Sequence, residues 1–516
     1  MSETTTENRH APDWLILLIA CIAQFMVVLD VSIVNVALPS MQKSLHFTLS
    51  NAQWVVNAYV LTYAGFLLLG GRAADLFGRR KVYLAGVMVF VIASLGAGVA
   101  TNATQMIAMR ALQGVGAAIL SPATLTIIVT TFRGPAMAKA IGAWSAVAGA
   151  GGAFGTIFGG LLTGYASWRW IFFINIPIGA IAIFMALQSL QERRKEGDKD
   201  KLDITGAALI TGGLASAIYG IVRSSDVGWG ATSTLTWLGI GIAAIAIFIF
   251  WEQKVASFPL VPFTIFKHRS LTSANVVMFL TGGVFFGFWY FLTFYFQYVL
   301  HYDAVKAGFA FLPMAIGIII GAQVSSRLVH KIGARPLVFA GALLSTIGFF
   351  WLSMIKDNSS YLGSVLLPSI ICTFAVGLLF SPLATAATAQ VQQSEAGLAS
   401  GLLNTSRQIG GSLSLAIVGT LAIDRTNALL HTMNKGFALT AGYERAFQIS
   451  GIITLIALVL AVTIPKTAGQ HHSRIKTEVI LPLRGDQQMT ERWRLSGSEL
   501  ALPKVARQLP VRRRAD

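Results

Sequence analysis

Long apolar runs recur along almost the whole chain, each ended by a short polar or charged break. Each run holds about 20 residues or more, enough at about 1.5 Å per residue to cross about 30 Å of hydrocarbon. The pattern predicts fourteen helical spans, at 14–38, 52–70, 82–100, 105–129, 138–163, 168–190, 204–223, 233–251, 271–299, 306–326, 336–355, 361–388, 398–423 and 447–465. A porin-type barrel would instead show short strands of about ten residues with alternating polarity. The fold expected is therefore an all-α polytopic membrane protein.

The breaks divide the spans unevenly. "QERRKEGDKDKLD" (191–203) is the longest charged break and follows six spans. A second hydrophilic stretch near 252–270 isolates two more spans from the last six. The plan reads as a cytoplasmic N-terminus (1–13), a six-helix bundle (14–190), a charged loop with two extra central helices (191–270), and a second six-helix bundle (271–465). A basic tail (466–516), polar enough to be disordered, follows. "DLFGRR" (75–80) is echoed by "HKIGAR" (330–335), with His330 in place of Asp75 and with Gly333 and Arg335 at the spacing of Gly78 and Arg80. Internal repeats of this kind build many secondary transporters, with the substrate site between the halves.

Composition agrees with this picture: 54% of residues are hydrophobic, 12% are charged and the mean hydropathy is +0.66. A soluble chain carries about 25% charged residues. Glu3, Glu7 and Asp13 are wrong for a signal-peptide n-region, so the first run reads as a retained span. The net charge of +17 raises the question of nucleic acid. Its distribution answers it. With the N-terminus inside, Lys and Arg number 18 in the inner loops and 8 in the outer ones. That asymmetry orients a multi-pass protein with both termini in the cytoplasm of a plasma membrane, and no nucleic-acid partner is needed to explain it.

Asp30, in "FMVVLDVSIVNVALP" (25–39), is the one acid placed well inside a span. An ionisable group at that depth costs about 2.5–3.5 kcal/mol on insertion scales and marks a functional site by default. A buried carboxylate can take up and release protons near neutrality. Its natural partner is Arg110 in "RALQGVGAA" (110–118), beside Gln113. A structural acid held by neighbouring hydroxyls is the alternative. Arg407 in "NTSRQIGG" (404–411) is a second cation within a span, nearer its inner end, where snorkelling would also account for it. The loop "GGRAADLFGRRK" (70–81) sets Gly71, Asp75, Gly78, Arg79 and Arg80 in a tight turn. In "GAGGAFGTIFGG" (149–160), small residues four apart form two ridges, Gly151–Gly155–Gly159 and Gly152–Thr156–Gly160, suited to close helix packing. The ninth span, "FFGFWYFLTFYFQY" (285–298), carries rings on every face, most of them expected at lipid or the interface. Asn35, Gln113, Asn404, Arg407, Phe288 and Tyr295 are the candidate substrate-pocket residues.

Cys21 and Cys372 lie within spans and read as small buried hydrophobes rather than metal ligands. No phosphate-binding loop, HExxH or nucleotide-binding domain is present, so neither enzyme chemistry nor an ATP motor is expected, and no cofactor.

"LDVSIVNVALP" (29–39), "GGRAADLFGRR" (70–80), "RALQGVGAA" (110–118), the glycine-rich fifth span, "WRWIFFINIPIG" (168–179) and "GLASGLLNTSRQIGG" (397–411) together resemble the major facilitator superfamily. Within it they are similar to the fourteen-span drug:proton antiporter branch, the EmrB/QacA subfamily, over residues 14–465. The resemblance implies two six-helix bundles, export of a small-molecule substrate in exchange for protons, and a periplasmic adaptor in a Gram-negative host. It implies that Asp30 is the proton and cation site, that Arg110 assists proton exchange, that Asp75 and Arg79 belong to a cytoplasmic gating loop, and that Gly151, Gly155, Gly159 and Gly160 belong to the antiporter motif. That motif normally places proline after its glycine; here Gly155 is followed by Thr156. A facilitator or importer of a small metabolite, or a non-transporting scaffold, would be the other readings of this fold.

Overall fold

A computed structural model describes residues 12–190, 202–392 and 395–465. The expectations for the first eleven residues, for most of the charged loop and for the basic tail fall outside the described residues, as does the Asp75 side chain.

The first set of helices comprises α1 (Asp13–Leu45), α2 (Leu49–Phe77), α3 (Arg79–Gly98), α4 (Ala103–Thr131), α5 (Gly134–Tyr165), the short α6 (Trp170–Phe173) and α7 (Asn175–Ser189). A hairpin follows, α8 (Ile204–Val227) and α9 (Thr232–Phe250). The second set comprises α10 (Arg269–Phe294), the short α11 (Ala304–Ala310), α12 (Leu312–Ile332), α13 (Ala334–Leu352), α14 (Leu366–Thr388), α15 (Ala396–Leu430) and α16 (Lys435–Ala461). Among the described residues, 13 segments are long and apolar enough to cross a membrane, and α5 is a further helix of 32 residues. Successive long helices run in opposite directions. α1 begins at one end of the bundle, the near end, and finishes at the far end.

Several helices outrun the predicted spans. α1 continues past Pro39 to Leu45, and α16 begins at Lys435, about three turns before the predicted 447. Glu444 and Arg445 sit in that extension, where their charges masked the helical pattern. The far end of the bundle therefore projects beyond the apolar runs.

The echo between 75–80 and 330–335 has a geometric counterpart. Gly78 (φ 93°) is the single residue between α2 and α3, and Gly333 (φ 83°) is the single residue between α12 and α13. A positive φ of this kind is open to glycine and costly for residues with a side chain. The two connections are the same elbow used twice.

α5 joins the two sets. A Cβ on Gly155 would stand 2.5 Å from Ser32 Cβ and 2.9 Å from Leu29 O, and one on Gly159 would stand 2.8 Å from Ile33 O. Gly151 lies over Phe25 in the same row, so this ridge seats α5 directly on the α1 backbone. The second ridge turns to α11: a Cβ on Gly160 would stand 2.6 Å from Ala304 O, and one on Gly308 2.6 Å from Thr156 O. Gly152 has only an ordinary contact, 3.8 Å from a Cβ there to Ser32 Oγ of α1, and does not share in the α11 contact as the four-residue spacing suggested. No proline interrupts α5 at Thr156, and the helix runs through without a break.

Candidate functional site

Asp30 lies near the middle of α1 and is fully enclosed, with 0% of its surface exposed. Arg110 of α4 meets it at 2.5 Å (Nη1 to Oδ2) with only 2% of its own surface exposed. Gln113, one turn along α4, donates from Nε2 to Asp30 Oδ1 at 2.7 Å and accepts from Arg110 Nη1 at 2.7 Å. Asn175, the first residue of α7, donates from Nδ2 to Asp30 Oδ1 at 3.3 Å and to Ser94 Oγ of α3 at 3.0 Å. Ser94 donates in turn to Phe172 O at 2.9 Å. The rest of the guanidinium is held by α2: Nε donates to Val55 O at 3.2 Å, and the group lies 4.3 Å from the centre of the Tyr59 ring. Both carboxylate oxygens thus receive donors, and six helices of one set, α1–α4, α6 and α7, supply the network.

The energetics follow from that closure. An isolated buried charge is prohibitive, whereas a paired and fully hydrogen-bonded one can be held. Arginine cannot discharge within a protein, so the one member of the pair able to change its charge is Asp30. Protonating it would turn an ion pair into a cation beside a neutral acid. Arg110 would then rest on Gln113, Val55 and Tyr59, on α4 and α2 rather than α1.

Sequence reading brought Asp30, Arg110 and Gln113 to one place. It missed Asn175, Ser94 and Tyr59. Asn175 stood inside a quoted motif, and its signal was a lone amide in an apolar run. Ser94 and Tyr59 gave no comparable signal, since such residues are common in transmembrane helices.

The remaining candidates lie elsewhere. Asn35 is buried and donates back to Val31 O at 3.1 Å. Arg407 is half-buried, donates to Asn404 Oδ1 at 2.7 Å and lies 5.5 Å from the Phe380 ring centre. These two share a site on α15 apart from the Asp30 centre. Phe288 and Tyr295 overturn the expectation that the ninth span shows most of its rings to lipid. Both are wholly buried, together with Phe291, Phe294 and Phe296, because α10 is surrounded by its own set. Phe288 packs edge-on to Phe349 at 6.1 Å, and Tyr295 donates to Lys356 O at 2.8 Å.

The elbow after α2 clamps helix ends. Arg79 donates to Thr130 near the end of α4, and Arg80 donates from Nη2 to Leu187 O near the end of α7 at 2.8 Å. Cations suit these C-terminal positions. Close helix approach falls at Gly70, against the Ala118 carbonyl of α4, whereas Gly71 has only ordinary contact with Pro122.

At the far end the two sets are joined by hydrogen bonds. Gln297 Nε2 donates to Val36 O at 2.8 Å, Tyr298 OH donates to Gln42 Oε1 at 2.8 Å, and Tyr290 OH reaches Leu49 O at 3.5 Å. Lys43 Nζ lies 5.7 Å from the Tyr298 ring centre. The far end is closed.

Solved structures with the same helical arrangement include a D-xylose–proton symporter (TM-score 0.63, 14% identity, 89% of this chain and 99% of that one). An autoinhibited POT family peptide transporter matches equally well (TM-score 0.63, 13% identity, 89% and 98%). At such identities the likeness concerns the fold. Among curated relatives, the cephamycin export protein CmcT of Amycolatopsis lactamdurans is 37% identical over 470 residues, covering 90% of this chain and 96% of that protein. The puromycin resistance protein pur8 of Streptomyces alboniger is 36% identical over 457 residues, covering 87% and 90%. The family model described as Major Facilitator Superfamily matches residues 20–415, from α1 into α15 and across the Asp30 centre. With that match added to the repeated elbows and the paired sets of helices, the chain belongs to the Major Facilitator Superfamily.

Proposed function

We propose that this protein is a proton-coupled exporter of small lipophilic molecules, with Asp30 as its proton site. The observation that carries the reading is the buried Asp30–Arg110–Gln113–Asn175 network, a charged centre built within one set of helices. The relatives named for export of cephamycin and resistance to puromycin support export of a small molecule.

In this reading the near end faces the cytoplasm, and the structure represents a state closed to the outside. Cargo enters from the near end, between α1–α7 and α10–α16. Protonation of Asp30 releases α1 from Arg110, and α1 carries α5 with it through the Gly151–Gly155–Gly159 contact. α5 also meets α11, so the movement reaches the far-end closure. A neutral lipophile or a monovalent cation suits a centre with a single acid. The extra hairpin α8–α9, packed on α2 and α15, stays outside this proton step.

The test is export of a lipophilic cationic dye from membrane vesicles under an imposed pH gradient. Asp30→Asn is expected to abolish gradient-driven movement while the protein inserts at its normal level. Undiminished proton-driven export by that variant would overturn the proposal.

A further inference from the structure

A pair of acids lies apart from the Asp30 centre, at the near-end feet of the extra hairpin. Asp203 caps the start of α8, its Oδ1 accepting from Gly206 N–H at 2.8 Å. Trp251, just beyond α9, donates from Nε1 to Asp203 Oδ1 at 3.0 Å and Oδ2 at 3.1 Å. Its neighbour Glu252 is 5% exposed, and Glu252 Oε2 accepts from Val261 N–H at 2.9 Å. Glu252 Oε1 receives no donor among the described residues.

Gly206 shows where that oxygen points. A Cβ on this glycine would stand 2.6 Å from Asp203 Oδ2 and 2.6 Å from Glu252 Oε1, so the two oxygens lie at most twice that distance apart. They converge over a position kept empty by the lack of a side chain.

We propose that Asp203 and Glu252 hold one proton between them and form a proton-binding site separate from the Asp30 centre. The hydrogen-bond accounting assigns its place. The N–H groups of Gly206 and Trp251 are spent on Asp203, which marks it as the ionised partner. The Val261 N–H is spent on Glu252 Oε2. The remaining buried oxygen, Glu252 Oε1, faces a carboxylate, and a hydroxyl there donates to Asp203 Oδ2. Two ionised carboxylates in the same place would repel each other with one oxygen unsatisfied. Among the described residues, the surrounding elements carry Arg72 on α2, Lys254 after Glu252, Lys267 and His268 in the linker, and Glu395 at the head of α15. Arg72 is placed by register: Ser50 against Ser225 and Gly65 against Thr211 set α2 antiparallel to α8, which brings Arg72 level with Ile204.

The site has a mechanical reach. Glu252 holds Val261 in the linker that leads from α9 into α10, the first helix of the second set. Loss of the shared proton would push the two feet apart and loosen that hold. The hairpin thereby reads the pH of the aqueous phase at the near end.

Trp251 supplies a local reporter. Its emission, taken as the difference between the protein and its Trp251→Phe variant, should change in one step as purified full-length protein is titrated from acid to alkaline pH. The step should persist in Asp30→Asn, which separates this site from the transport centre. It should vanish in Glu252→Gln, whose amide can still donate to Asp203 but cannot ionise. Thermal unfolding gives a second readout. A folded state that binds this proton more tightly than the unfolded chain loses stability as pH rises. The midpoint of the Asp30→Asn protein should therefore fall on the alkaline side, and that of the Asp30→Asn/Glu252→Gln double variant should not. If Glu252→Gln fails to fold, Asp203→Asn keeps the helix cap and should move the step to lower pH. A step that is absent from the wild type, or unchanged in both Glu252→Gln and Asp203→Asn, overturns the proposal.

Discussion

The centres of the two helix sets are built from opposite materials. In the first set, α1, α3, α4 and α7 converge on Asp30, Arg110, Gln113, Asn175 and Ser94. In the second, α10, α13 and α16 converge on Phe288, Phe349 and Phe447, with ring centres about 6 Å apart, near the usual range for aromatic pairs. The first centre holds a buried ion pair; the three rings of the second carry no charge. Under the proposed mechanism the two sets divide the labour: one answers the proton and the other gives it a stiff body to move against.

The largest effect should come from stranding the acid. Arg110→Ala leaves a buried carboxylate without its partner, a loss of about 3–5 kcal/mol in comparable buried pairs. Dye export should fall to background, and the thermal midpoint should drop markedly. Arg110→Lys keeps the charge but cannot reach Asp30, Gln113 and Val55 together, so it should restore stability better than transport.

Phe288→Ala should cost a similar amount of stability, about 3–5 kcal/mol for a large buried ring. Its export should keep the wild-type dependence on pH after correction for folded protein. If the pH profile moved, the idea that the second centre is indifferent to protons would fail.

Gly155→Val should have an intermediate effect, since overpacking costs about 1–3 kcal/mol. The added bulk has to displace Ser32 or the Leu29 carbonyl, so turnover should fall further than cargo binding, as measured by dye affinity against export rate.

The smallest effect is expected at the far-end closure. Gln297→Ala removes one hydrogen bond, worth about 1 kcal/mol, and should raise the outward-open population by roughly fivefold. External thiol labelling of Asn35→Cys would report this, because Cys21 and Cys372 are both buried. Unchanged labelling would show that the bond to Val36 does not hold the far end shut.

Much of this was legible in the sequence for physical reasons. A lone acid and an arginine within a span are costly enough in an apolar run that their pairing could be inferred before any geometry. Asn175 and Ser94 are cheap by comparison, and only their position around Asp30 gives them meaning. The rings of α10 misled because periodicity shows which faces of a helix are apolar, while lipid and protein interior are apolar alike. The clasp at Asp203 and Glu252 was hidden differently: 48 intervening residues had to fold back as a hairpin before the acids met.

The elbows at Gly78 and Gly333 leave almost no slack between one long helix and the next. Such a joint works like a crank throw, turning any roll of α2 or α12 into a swing of its neighbour. Both throws sit at the same end of the bundle, so the movement proposed to start at Asp30 can be geared into travel there without a flexible linkage losing the stroke.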